Sequence, residues 1–117
     1  MRAWSVRLTA TAEGDFQDIL HWTVERFGEA QARAYAKTLT SALESLSAGP
    51  QVIGARARND IAKGLFTLHV ARHGRKGRHF VMFRTGKGTD QKVVEVLRLL
   101  HDAMDLARHL PPLEDGK

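Results

Sequence analysis

Three groups in the C-terminal half could do chemistry together on a phosphodiester. Metal-free cleavage of RNA needs a base for the 2′-hydroxyl, a cation for the pentavalent transition state and an acid for the leaving oxygen. Arg84, Arg98 and His101 are the residues of suitable type. Arg98 stands out because it interrupts the apolar run Val93–Leu100, where a charge must either pair or sit at an exposed end. Its candidate partners are Asp102, Asp105 or Glu95. His101, Asp102 and Asp105 also share the spacing of a helix face, yet without a second cluster they make a weak metal site. Their simpler reading is a strand end followed by a helix cap.

Other chemistries find no support in the chain. It has no cysteine, which excludes disulfides and thiolate nucleophiles, and no serine sits in a nucleophile-elbow pattern. The Gly-Lys-Gly of "TGKGT" is not a phosphate loop. Position 81, where that motif needs glycine, is valine, and a strand follows instead of a helix. No metal or cofactor is expected.

Charge is distributed unevenly. No acidic residue occurs from Ile61 to Thr89, whereas Lys63, Arg72, Arg75, Lys76, Arg78, Arg84 and Lys87 contribute seven positive charges. The net charge is +5, so the rest of the chain carries −2. Arg72, Arg75, Lys76, Arg78 and Arg84 are the candidate basic patch for an acidic target, either nucleic acid or an acidic protein surface.

These groups must be positioned by a single domain of 117 residues. Trp4, Val6 and Leu8 alternate with polar residues, as in a half-buried strand. Thr9 or Thr11 then caps a helix whose inward stripe is Ala12, Phe16, Ile19, Leu20, Thr23 and Phe27, stopped by Gly28. A second helix presents Ala32, Tyr35, Ala36, Leu39, Ala42, Leu43 and Leu46 before Gly49–Pro50. Almost nothing separates the two helices, which predicts an αα-hairpin. Gln51 to Gly64 lacks a period and is expected to be a connecting loop. Phe66–Val70 reads as an edge strand. Phe80–Phe83 and Val93–Leu100, apolar on both faces, read as interior strands. A short helix is expected over Met104–Leu110, and after Pro111–Pro112 a disordered tail. The expectation is therefore an α+β domain over 1–110 in the order β-α-α-β-β-β. The hairpin packs on a small, mostly antiparallel sheet, and residues 111–117 form the tail. No apolar run is long enough to span a membrane, so a cytoplasmic address is expected.

"VRLTATAEGDFQDILHWTVERFG", the alanine-rich second helix and "VVEVLRLLHDAMDLARHL" together resemble the RelE/ParE superfamily of toxins from bacterial type II toxin–antitoxin systems. The resemblance covers Val6 to Leu110. Its most specific part is the spacing of Glu95, Arg98, His101 and Asp105, with Leu110 closing the segment, which is similar to the ParE branch. The resemblance implies the same fold, with a curved sheet. In it Arg98 and Asp105 would set the strand end against the terminal helix, with His101 between them. It further implies a poison of DNA gyrase with no catalytic residues, neutralised by a ParD-like antitoxin that alone contacts operator DNA. The alternatives are a RelE-like ribosome-dependent endoribonuclease, using Arg84, Arg98 and His101, or an inactive antitoxin-binding member. The C-terminal tyrosine of many RelE-like members is absent, since the only tyrosine is Tyr35. Ala103 stands where many ParE-like sequences carry arginine. Such an antitoxin would lay an amphipathic helix on the hairpin and add a strand to the sheet edge. Trp22 and Val24, beside the inward stripe, are the candidate groove residues.

Overall fold

A computed structural model describes residues 4–86 and 92–104. The elements are β1 (Ser5–Leu8), α1 (Ala10–Phe27), α2 (Glu29–Ser45), a 3-10 turn over Leu46–Ala48, β2 (Arg56–Ala57), β3 (Phe66–His69), β4 (His79–Thr85) and β5 (Val93–His101). The expected terminal helix beyond Met104, Asp105 and the 111–117 tail lie outside the described residues.

The sheet order is β1-β5-β4-β3-β2. The β5–β4, β4–β3 and β3–β2 pairs are antiparallel, while β1 lies parallel to β5. Strands β4 and β5 are interior, as their continuous apolar runs require. On one face, Val81, Phe83, Val94, Val96 and Leu99 pack under Ala12, Leu39, Ala42 and Leu46 of the helical layer. On the other, Met82, Leu97 and Leu100 pack with Leu65 against Ile61, Ala62 and Phe80. The segment Gln51–Gly64 is therefore more than a connection. It contributes β2, which borders β3, and it covers the sheet face that the helices leave open.

The hairpin is cut by one residue. Gly28 has φ +92°, a conformation that an L side chain resists. It ends α1 by donating its N–H to the carbonyl of Val24 and at once begins α2. At the other end of α1, the hydroxyl of Thr9 accepts from the Ala12 N–H at 3.1 Å, the expected cap.

Strand β5 carries a bulge. Met82 opposes Arg98 and Phe83 opposes Val96, which leaves Leu97 as the extra residue. Strand β1 stops at Leu8 opposite Val96, so the edge of β5 beyond that point has no strand neighbour. The start of α1 takes its place. Thr9 donates its N–H to Val96 O at 3.0 Å and its hydroxyl to Leu97 O at 3.1 Å. Asp15 accepts from the Leu99 N–H at 3.0 Å. The cap residue Thr9, through its N–H and hydroxyl, and the Asp15 side chain thus satisfy backbone groups that the ladder leaves open.

Candidate functional site

Asp15 also holds Arg98. The guanidinium donates from Nε to Asp15 Oδ2 at 2.7 Å and from Nη2 to Oδ1 at 3.0 Å, a two-pronged pair with little exposure on either side chain. This partner lies 83 residues away and was not among the candidates read from the sequence. Of those, Glu95 is engaged by Arg84 across the β4–β5 pair at 2.9 Å, and Asp102 is engaged elsewhere.

The carboxylate of Asp102 accepts from His69 Nε2 at 2.9 Å and from Arg78 Nε at 3.3 Å. His69 Nδ1 accepts the Ala71 N–H at 3.0 Å, so the ring proton is on Nε2 and points at the carboxylate. That hydrogen bond first, and Arg78 after it, holds the Asp102 carboxyl below the usual carboxylate range. His101 accepts the Ala103 N–H at its own Nδ1, 3.1 Å away, and meets His79 edge to face at 5.3 Å.

His79 links this end of the sheet to α2. The Tyr35 hydroxyl lies 2.7 Å from His79 Nδ1 and accepts the backbone N–H of Arg78 at 3.0 Å. Burial raises the Tyr35 pKa, keeping the hydroxyl protonated, while burial and then the neighbouring His101 push His79 down to about 4. His79 is therefore neutral at pH 7, and Tyr35 donates to its Nδ1. Gly77 lets the loop lie this close: a Cβ there would meet Val70 Cγ2 at 2.5 Å and the Tyr35 hydroxyl at 3.1 Å. In the resulting cluster of Tyr35, His69, Arg78, His79, His101 and Asp102, the sequence singles out His101 and Asp102 together and Arg78 in the basic run, but nothing in it joins Tyr35, His69 and His79 to them.

A pH dependence follows from His79. Its folded pKa lies below the 6.5 of an unperturbed histidine, so from about pH 6.5 down to about 4 the unfolded chain binds the extra proton. Stability falls as the pH falls through that window and is fully retained above it. Discounted for partial exposure, the loss is about 2 kcal/mol. Urea midpoints measured from pH 7 to 4 should show this slope, and His79→Asn should flatten it. Asp102 acts with the same sign at lower pH, below the usual carboxylate range. An unchanged slope in the variant would remove His79 from the account.

The structure does not gather Arg84, Arg98 and His101. Phe83 faces the helical layer and Val94 and Val96 with it; Arg84 and Glu95 alternate with them and pair on the opposite face. Arg98 is engaged with α1, and His101 stands opposite His79 at the far end of β4. The basic patch divides in the same way. Arg72, Arg75, Lys76 and Arg78 occupy the β3–β4 loop, whereas Arg84 is five residues further along β4, about 17 Å away along a strand.

On the hairpin, Trp22 is 52% exposed and Val24 38% exposed. They flank the buried Thr23 on opposite sides, each about 100° around the helix from it. Phe27, expected in the inward stripe, is 63% exposed instead. It is the last residue of α1, and its ring meets Trp22 edge on at 5.9 Å. Arg26 lies 5.2 Å over the Trp22 ring. Trp22, Arg26 and Phe27 thus form one outward aromatic patch, and Val24 belongs to the other flank. Among the described residues, no group of histidine and acidic side chains could hold a metal ion, and no helix is long and apolar enough to cross a membrane.

Residues 6–106 match the family described as the ParE toxin of type II toxin-antitoxin system, parDE. Toxin ParE1 of Mycobacterium tuberculosis is 32% identical over 104 residues, covering 88% of this chain and 94% of the relative. The fold is shared with a chain of the chromosomal ParDE TA system from P. aeruginosa, at TM-score 0.68 and 20% identity, covering 86% of this chain and 98% of that one. It is also shared with a chain of the toxin-antitoxin complex RelBE2 from Mycobacterium tuberculosis, at TM-score 0.56 and 21% identity, covering 85% and 98%.

Proposed function

This chain belongs to the ParE toxin family of type II toxin–antitoxin systems, and from that premise we propose that it inhibits DNA gyrase by binding it and is neutralised by a ParD-like antitoxin. The observation that carries the antitoxin half is the exposed Trp22–Phe27 pair. Two large exposed rings held edge to face, with a cation over one of them, have the composition of an interface anchor. An amphipathic helix laid along the outer side of α1 would cover them. The solved relatives come from a ParDE system and a RelBE2 toxin-antitoxin complex, which favours a partner of this kind.

Binding, with no reaction catalysed, is favoured by the placement of the cations. Arg84 and Arg98 are each engaged in a separate ion pair, with Glu95 and with Asp15, which leaves neither guanidinium directed at a phosphodiester beside His101. The β3–β4 loop, with Arg72, Arg75, Lys76 and Arg78, is the part of the basic surface offered to the target.

The test is a gyrase supercoiling and cleavage assay with purified, antitoxin-free protein, run beside a translation reaction scored for messenger cleavage. Supercoiling should be inhibited and then restored by stoichiometric antitoxin, with messenger intact. Messenger cut at ribosome-positioned codons while gyrase runs normally would overturn the proposal.

A further inference from the structure

The β3–β4 loop holds an arginine with two buried donors that lack an acceptor. Arg72 Nε and Nη1 are both covered from solvent and neither has a hydrogen-bond partner. Nη1 lies over Gly54, whose φ is +99°, and an added Cβ there would be 3.9 Å from it and 3.3 Å from Leu68 Cδ1. The guanidinium is therefore tucked beneath the 52–55 turn. Its remaining nitrogen, Nη2, donates to His73 Nε2 at 3.2 Å. Burying charged donors unpaired is unfavourable, so native structures hold few such groups and each calls for a reason.

The backbone beside it is strained as well. His73 has φ +54°, the only positive φ outside glycine among the described residues, and the turn closes by a hydrogen bond from Arg75 N to Arg72 O at 3.0 Å. Strain of this type clusters at binding loops. Ion pairs reach Arg78, Arg84 and Arg98, but among the described residues none reaches Arg72, Arg75 or Lys76. Three cations within five residues thus lack a counter-charge. His73, exposed and at positive φ, is the side chain to which the arginine is hydrogen-bonded.

The chemistry of the loop selects its ligand. From Ala71 to Arg78 it presents no large apolar side chain, so it lacks the apolar centre on which protein interfaces are built. It has no aromatic ring besides the His73 imidazole on which to stack an unpaired base, as single-strand binders do. Cations without either feature suit the phosphate backbone of a duplex. We propose that the Ala71–Arg78 loop binds the phosphodiester backbone of duplex DNA, with Arg72 leaving its cover to donate its unpaired N–H groups to a phosphate. The contact reads no sequence and is separate from operator recognition. It rests on the gyrase reading for its setting, since gyrase acts on duplex DNA.

The test uses the intact antitoxin-free protein and Arg72→Met. Fluorescence anisotropy with a 20-base-pair duplex DNA should show salt-dependent binding, and Arg72→Met should weaken it at least fivefold. The same variant should keep or raise the melting temperature, because it removes an unpaired buried charge. Unchanged DNA affinity in Arg72→Met, a lowered melting temperature, or poly-glutamate binding as tightly as the duplex would each overturn the proposal. Supercoiling inhibition separates it from the function proposed above. Wild-type protein that binds DNA but spares gyrase sinks only the gyrase reading. A variant that loses DNA affinity yet poisons gyrase fully sinks only the role of the loop in that act.

Discussion

Replacing Asp15 by alanine is expected to destabilise the fold by about 3 kcal/mol. The carboxylate accepts three hydrogen bonds, two from Arg98 and one from the Leu99 N–H. All three serve a stretch of β5 that lacks a strand on that side, because β1 ends opposite Val96. Alanine would leave a charge and a backbone donor without this acceptor where water enters poorly, the side-chain exposures being 13% for Asp15 and 21% for Arg98. Removing one partner of a fully buried pair costs about 3–5 kcal/mol, and this partial exposure places the expectation at the lower end. Asp15→Asn keeps an oxygen for Leu99 while losing the charge, so it should fall between the two. Urea denaturation decides the matter. A loss under about 1 kcal/mol for the alanine variant would show that solvent replaces the carboxylate, as it does at surface pairs.

Trp22→Ala should weaken the cognate antitoxin by about 2 kcal/mol or more, roughly thirtyfold in Kd, while folding stability changes by less than about 0.5 kcal/mol. The two halves of this expectation have separate grounds. Stability is spared because Trp22 is more than half exposed and its ring contacts are to Phe27 and Arg26, themselves on the surface side of α1. Affinity suffers because a tryptophan anchor buries a large ring when a helix closes over it. Phe27→Ala should behave alike, and the double variant should lose less than the sum, since the rings touch. Val24→Ala, on the opposite flank, tests whether the partner wraps around the hairpin. Calorimetry on the complexes supplies the numbers. A change under about 0.5 kcal/mol for Trp22→Ala would move the antitoxin groove elsewhere.

Much of the architecture could be read along the chain. The Thr9 cap, the Gly28 break and the two interior strands are local signals, written in side-chain period and in residues with special backbone preference. Family membership was legible for the same reason, in segments each under thirty residues long. Other expectations failed where a local period meets the edge of the fold. Phe27 follows the inward spacing of α1, yet it lies at the helix end with Trp22 as its ring partner. Gln51–Gly64 shows no period, because it builds only the two-residue β2 and covers the second sheet face through Ile61 and Ala62, beside the buried Leu65 that follows it.

The chemistry was decided by tertiary structure. Asp15 and Arg98 stand 83 residues apart, and nothing in the spacing of either announces the other; the bulge at Leu97 and the early end of β1 bring them together. Arg84 and His101 both looked available to one phosphodiester, but strand alternation puts Arg84 with Glu95 on the face away from the helices, and β5 carries His101 to its own end, opposite His79. Tyr35 and His79 meet because Gly77 lets a loop approach α2. Arg72 looked like any cation of the basic run until the 52–55 turn was seen to cover it. Sequence alone set the helices, the interior strands and the sign of the loop's charge, since those depend on neighbours within a few residues. Which charges are paired, and which remain free to meet a partner, depended on contacts that only the closed sheet and its helical layer create.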